Sequence, residues 1–233
     1  MPEQPSPTNP TTPATPSTPR TRSEQDAEIA NDISGSKQVI DLLQNDGVVR
    51  TPLVTRGFDT QRINTGLALQ IAAQTCFNGR QAAMGQQEDC TQKLSTAAEA
   101  ARQAYSDFRK TVTSVYKSKG QRTALGCSGK VPGDLQQFIT VATASYATAK
   151  TAPYQAALTP FGFPAATLNA HLTALTQLGA LREEQQTAIG NAVTATNRRN
   201  NAHGSLMDWV QQLRGIASVA FRSQPEQAEK LDF

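Results

Sequence analysis

The sequence predicts an all-α fold: an elongated antiparallel helical bundle or coiled coil, built from two pseudo-repeats that each run a shorter helix into a long one. Three observations predict it. The chain repeats itself at an offset of 105 residues, so that laying 56–117 over 161–222 pairs Gly57-Phe58 with Gly162-Phe163, Asn64 with Asn169, Leu67 with Leu172, Gly85 with Gly190 and Arg109 with Arg214. Both copies carry apolar residues at three- and four-residue spacing over long stretches, the signature of amphipathic helices that must pair. The apolar fraction is 38%, aromatics are 6%, and much of the apolar content is alanine, which suits close helix packing better than a thick core.

The elements follow in order. Residues 1–23 are a Pro/Thr/Ser tract in which almost nothing could be buried, read as a disordered or polyproline-II arm. From Glu24 to Asp46 a helical pattern runs through Ile29, Ile33, Val39, Ile40, Leu42 and Leu43, interrupted by Ser34-Gly35-Ser36 and firmest over 37–44. Asp46-Gly47 marks a stop, and 48–58 reads as an extended connector carrying Pro52. Asp59 reads as the N-cap or a first-turn residue of a long helix whose stripe (Leu69, Ala73, Cys76, Ala83, Cys90, Leu94, Ala97, Ala101, Ala104, Phe108, Val115) extends towards Gly120, with Arg80 and Gln87 as polar interruptions. Unbroken, such a helix is roughly 90 Å long.

A glycine-rich loop spans Gly120 to Gly133, followed by a helix over Asp134–Lys150 and a short continuation from Pro153 to Leu158. The connector Pro160-Phe161-Gly162-Phe163-Pro164 leads into the second long helix, striped by Ala174, Leu178, Leu181, Ala188, Ala192, Ala195, Ala202, Leu206, Trp209, Leu213, Ile216 and Ala220. Asn197 to Gly204 holds poor helix formers and reads as a kink or tight loop, although the strongly helical counterpart, Gln92–Glu99, favours continuity. Pro225 breaks the helix ahead of a short tail. The domain reading is an arm (1–23), a first repeat (24–120) and a second repeat (121–233) in one continuous bundle, with 37–44 and 134–158 covering the long pair.

Composition narrows the partners. A net charge of +3 and a pI near 8.8 provide no concentrated basic stripe, so nucleic acid is not expected. The N-terminus lacks a basic region followed by an apolar run, and no stretch of about 18 apolar residues occurs. Cytoplasmic residence follows by elimination, with leaderless export left open. Cys76, Cys90 and Cys127 show no CxxC; the first two, on one helix, would stand roughly 21 Å apart, beyond disulfide reach. His171 and His203 have no Glu, Asp or Cys three or four residues away, so the helix-borne metal pair of a di-iron bundle is missing. His171 reads as packed, Arg198-Arg199 as solvating a mid-helix kink, and the repeated Gly-Phe as turn geometry. No catalytic, cofactor-binding or metal-binding residue is nominated and no cofactor is expected. Trp209, Phe161 and Phe163 are the candidate interface residues, Trp209 being most simply a core anchor beside Leu206 and Leu213.

The run from Leu206-Met-Asp-Trp209 through Leu213 and Ile216 to Phe221, followed by Pro225-Glu-Gln and Glu229-Lys-Leu231, resembles the ending of an uncharacterised bacterial family of duplicated α-helical proteins. In that family a Trp-bearing helix runs into a Pro turn and a terminal Leu-Glu-x-Leu-Gly; here Asp232 stands at the Gly position and Lys230 separates the last Glu from Leu231. The Phe161-Gly162 turn also fits, and the resemblance covers most of 58–233. It implies architecture and nothing catalytic. The functional expectation is a non-enzymatic structural or scaffold protein acting through self-association or protein binding. The alternative is a membrane-active bundle that unfurls onto lipid.

Overall fold

The computed structural model describes residues 21–231, and every regular element among them is helical. The arm expected over 1–23 lies outside the described residues except for its last three. Those three start a helix: the Thr21 hydroxyl accepts from the Glu24 amide (3.3 Å) while the Thr21 amide donates to the Glu24 carboxylate (2.7 Å), a reciprocal cap. The helix so begun, α1 (Arg22–Asn45), runs unbroken through Ser34-Gly35-Ser36. Gly35 and Ser36 are buried, and the Ser36 hydroxyl satisfies itself on the Asp32 carbonyl at 2.7 Å.

The extended connector expected over 48–58 is instead mostly helix, α2 (Gly47–Val54). The Asp46 carboxylate caps it by accepting from the Val48 and Val49 amides at 2.8 and 3.4 Å. Pro52 inside a helix costs about 3 kcal/mol. Val49 and Leu53 are completely buried, and two such side chains contribute about 3–6 kcal/mol. Tertiary burial therefore outweighs the local penalty. Beyond α2 the chain reverses at Gly57 (φ +84°), where the Gly57 amide donates to Val54 and the Phe58 amide to Leu53, both at 3.0 Å. Asp59 then caps α3 (Thr60–Val115), accepting from the Arg62 amide at 3.0 Å, as expected.

The loop expected from Gly120 to Gly133 contains a short helix, α4 (Lys119–Ala124), pinned by the fully buried Leu125 just after it. Next come α5 (Leu135–Ala149), capped by Asp134, and α6 (Ala152–Leu158), followed by a 3₁₀ turn over Thr159–Phe161. Gly162 (φ +89°) repeats the Gly57 reversal bond for bond: its amide donates to Thr159 and the Phe163 amide to Leu158. The second long helix, α7 (Ala165–Ala220), stays helical throughout 197–204, so the tight loop does not form; α8 (Pro225–Glu229) follows it.

The duplication is thus explicit in the elements. Helices α3 and α7 are each 56 residues and begin and end 105 positions apart. Among the described residues each repeat comprises four helices, where the sequence predicts in essence a shorter helix leading into a long one.

By packing, the chain falls into two compact units: one takes residues up to Gln74 together with His203 onwards, the other Thr75–Ala202. Their edges do not follow the repeats. The first unit's core joins α1 (Val39, Ile40, Leu43), α2 and the start of α3 (Leu53, Phe58, Ile63) to the end of α7 (Val210, Leu213, Ala217, Phe221). The second unit's core joins α5 (Phe138, Tyr146), α6 and the start of α7 (Leu158, Phe163, Leu168) to the end of α3 (Tyr105, Phe108, Val112, Tyr116). Shifted by 105, Leu53, Phe58 and Ile63 become Leu158, Phe163 and Leu168, and Tyr105, Phe108, Val112 and Tyr116 become Val210, Leu213, Ala217 and Phe221. Each unit therefore combines the head of one repeat with the tail of the other. Within the second unit α3 and α7 run antiparallel, Thr91 meeting Gln185 (3.1 Å) and Phe108 meeting Phe163 (5.3 Å between ring centroids).

Candidate binding site

Of the three candidate interface residues, two are spent inside. Trp209 is 5% exposed in the first unit's core, and Phe163 is buried in the second's. Phe161, on the 3₁₀ turn, is 59% exposed. Around Trp209 the packing is tight: its indole N–H donates to the Arg62 carbonyl at 2.9 Å, and its ring tilts against Phe58 with 5.6 Å between centroids. Gly66 is what lets the indole in, because a Cβ there would lie 2.2 Å from the ring.

Other residues singled out from the sequence take defined places. His203 pairs with Asp32 of α1 (Nε2 to Oδ2, 2.8 Å), a partner far too distant in sequence to be found by local spacing. Arg199 is buried in the continuous α7, with its guanidinium on the Asn200 side-chain oxygen (3.1 and 2.7 Å), instead of solvating a kink. Arg80 is buried as well. The cysteines are unpaired with one another; Cys127 is buried, and desolvation pushes its thiol up to about 11 despite the opposing field of Arg109. Among the described residues no three His, Cys, Asp or Glu side chains converge as a metal site.

The second unit holds an aromatic cluster that sequence periodicity only half revealed. Tyr105, absent from the expected stripe, is buried between Phe108, Phe138 and Tyr146, at centroid distances of 5.7–6.1 Å. Its hydroxyl donates to the Gly126 carbonyl (3.2 Å) and shares a hydrogen bond with Ser145 (2.9 Å). Leu175, not Ala174, is the buried member of that turn of α7. Both misses have one cause: α5 crosses the long pair here, which widens the buried arc beyond a two-helix seam.

Tyr146 differs from Tyr105 in one respect. It is 1% exposed, yet its hydroxyl has no hydrogen-bond partner among the described residues. Burial drives its ionisation well above the ordinary tyrosine range, so it stays a neutral phenol. Its ring stacks on His171 (5.0 Å, 20° between planes), and burial lowers the imidazole's basicity. Tyr146 and His171 both line a pocket of about 300 Å³ whose remaining wall is largely alanine from α3 (Ala97, Ala100, Ala101, Ala104) and apolar side chains from α7 (Leu175, Leu178). Alanine at consecutive seam positions is the physical cause: the two helices approach, but their side chains do not meet to fill the space between them.

Two further hollows open along the same helix pair in this unit. One, about 750 Å³, shares Ala97, Ala100 and Leu181 with the first and is rimmed by Gln92, Lys93 and Thr96. The other, about 440 Å³, lies among Cys76, Gly79, Ala83, Asn191, Thr194 and Ala195. No helix among the described residues is long and apolar enough to cross a membrane. No protein-family model matches the chain, and comparison with curated proteins and with solved structures likewise yields no match.

Proposed function

We propose that this protein is a non-catalytic helical scaffold that acts by binding protein, in the first instance further copies of itself. One observation carries the reading: the α3–α7 pair of the second unit leaves a face open, hollowed along its length where Gly79, Ala83, Ala97 and Ala100 stand opposite Ala195 and Leu181, with Asp89, Lys93 and Arg198 among the lining. Small residues on a helix face let another helix approach closely, and open apolar hollows on a folded chain are the places where association buries area. Two large apolar side chains in the same unit, Phe161 and Val193, are more than half exposed and are available to such a contact.

The reading is tested by sedimentation velocity over a wide concentration range. The wild type is expected to sediment above its 25.0 kDa monomer mass. Asn191→Arg with Thr194→Arg, which place charge at the rim of one hollow, are expected to shift it to monomer, as is Phe161→Asp. A wild type that stays monomeric at the highest concentration overturns self-association.

A further inference from the structure

The duplication supplies a template for the pocket beside Tyr146. In the first unit, Trp209 projects from α7 onto Gly66 of α3 and fills the core against Phe58. Shifted by 105, Trp209 becomes Ala104, Gly66 becomes His171, Leu206 becomes Ala101 and Phe58 becomes Phe163. These are the residues around the second unit's pocket: Ala101, Ala104 and His171 line it, and Phe163 lies 6.2 Å from the His171 ring. In the second unit, therefore, two alanines stand where the first unit has a tryptophan and a leucine. The imidazole of His171 restores only part of the lost ring volume.

We infer that the second unit binds a small planar aromatic molecule of indole or phenol class where its sister unit carries the Trp209 side chain, with the Tyr146 hydroxyl as its polar partner. Three features converge on this occupant. The pocket's volume of about 300 Å³ suits a one- or two-ring molecule; an apolar protein cavity of about 150 Å³ already admits benzene. Apart from Gln177 its walls are aromatic and aliphatic, with the stacked Tyr146–His171 pair offering a ring face. A buried phenol without a partner costs roughly 1–3 kcal/mol, which a ligand carrying one hydrogen-bonding group recovers. Both titratable groups in the wall are held neutral by burial, so the pocket selects an uncharged ligand. The pocket borders the proposed association face, sharing Ala97, Ala100 and Leu181 with one of its hollows, but ligand binding is read separately from sedimentation.

The test uses the full chain and indole as probe, read by saturation-transfer NMR and by the rise in Tm with indole concentration. Wild-type protein is expected to bind indole. Tyr146→Phe is expected to weaken indole about tenfold while leaving 1-methylindole, which has no N–H to share with the hydroxyl, nearly unchanged. Ala104→Trp combined with His171→Gly rebuilds the first unit's pair and is expected to abolish binding of both. Should that double variant fail to fold by circular dichroism, Ala101→Leu, the residue of the sister position, fills the pocket more gently and is expected to abolish binding too. The inference is overturned if the wild type shows no saturable binding, or if binding persists unchanged in the filled variants. It is equally overturned if Tyr146→Phe weakens indole and 1-methylindole alike. Sedimentation of the same variants is expected to match wild type, which separates this result from the fate of the scaffold reading.

Discussion

A methyl group added at Gly66 would sit 2.2 Å from Trp209, against a ring already fixed by its bond to the Arg62 carbonyl. Gly66→Ala is therefore expected to lower stability by about 1–3 kcal/mol, the usual range for overpacking. Because Trp209 is the sole tryptophan, its emission reports the event directly in a urea titration. The sequence made Trp209 readable as a core anchor, since Leu206 and Leu213 flank it at helical spacing. Gly66 carried no such signal; its role depends on a contact across the fold. Cys127 gives a second test at this scale. Its folded thiol titrates at about 11 against 9.0 ordinarily, so above pH 9 the unfolded chain releases a proton that the folded chain retains. Stability is thus full below pH 9 and falls as pH rises towards 11, with Tyr105 and Tyr146, also raised by burial, extending the loss above pH 10. Cys127→Ala is expected to flatten the pH 9–11 portion of the curve, measured by denaturation at fixed urea intervals.

At the scale of elements, α1 is held to α7 by the apolar contacts of Val39, Ile40 and Leu43 and by the His203–Asp32 pair. The pair is partly solvated, so His203→Ala is expected to cost no more than about 1 kcal/mol. A double-mutant cycle with Asp32→Ala isolates the coupling, and faster amide exchange confined to α1 identifies the element it secures. Most elements were legible: the N-terminal role of Asp59 and the stripes on α3, α5 and α7 follow from residue type and spacing. The clear error has a physical origin. Residues 48–58 contain a proline, so local preference argued against helix, and burial of Val49 and Leu53 reversed the outcome. Residues 197–204 contain asparagine and glycine, yet their strongly helical counterpart, 92–99, favoured continuity, and the helix continues there.

At the scale of the molecule, neither core belongs to one repeat. Residues 21–126 bring the heads of the first unit and the tail of the second; residues 127–231 bring the complements. Expressed alone, each half is expected to lack cooperative unfolding by circular dichroism, and co-expression is expected to restore it. A half that folds alone would show that its helices find another core. The 105-residue repeat was visible in the sequence because turn residues such as Gly57 and Gly162 are constrained by backbone geometry. The candidate pocket was not visible, because it arises from what Ala101 and Ala104 lack relative to their equivalents, and only the paired cores reveal that difference.

The two facing positions in each core also differ systematically between the repeats. The first repeat supplies Gly66 and Ala104, both small; the second supplies His171 and Trp209, both bulky. A hollow meets a bulge in each unit, whereas two second repeats would collide ring against ring and two first repeats would leave voids on both sides. Lock-and-key asymmetry of this kind makes the halves obligate complements: either can recognise its opposite, and neither can take its own kind as a substitute.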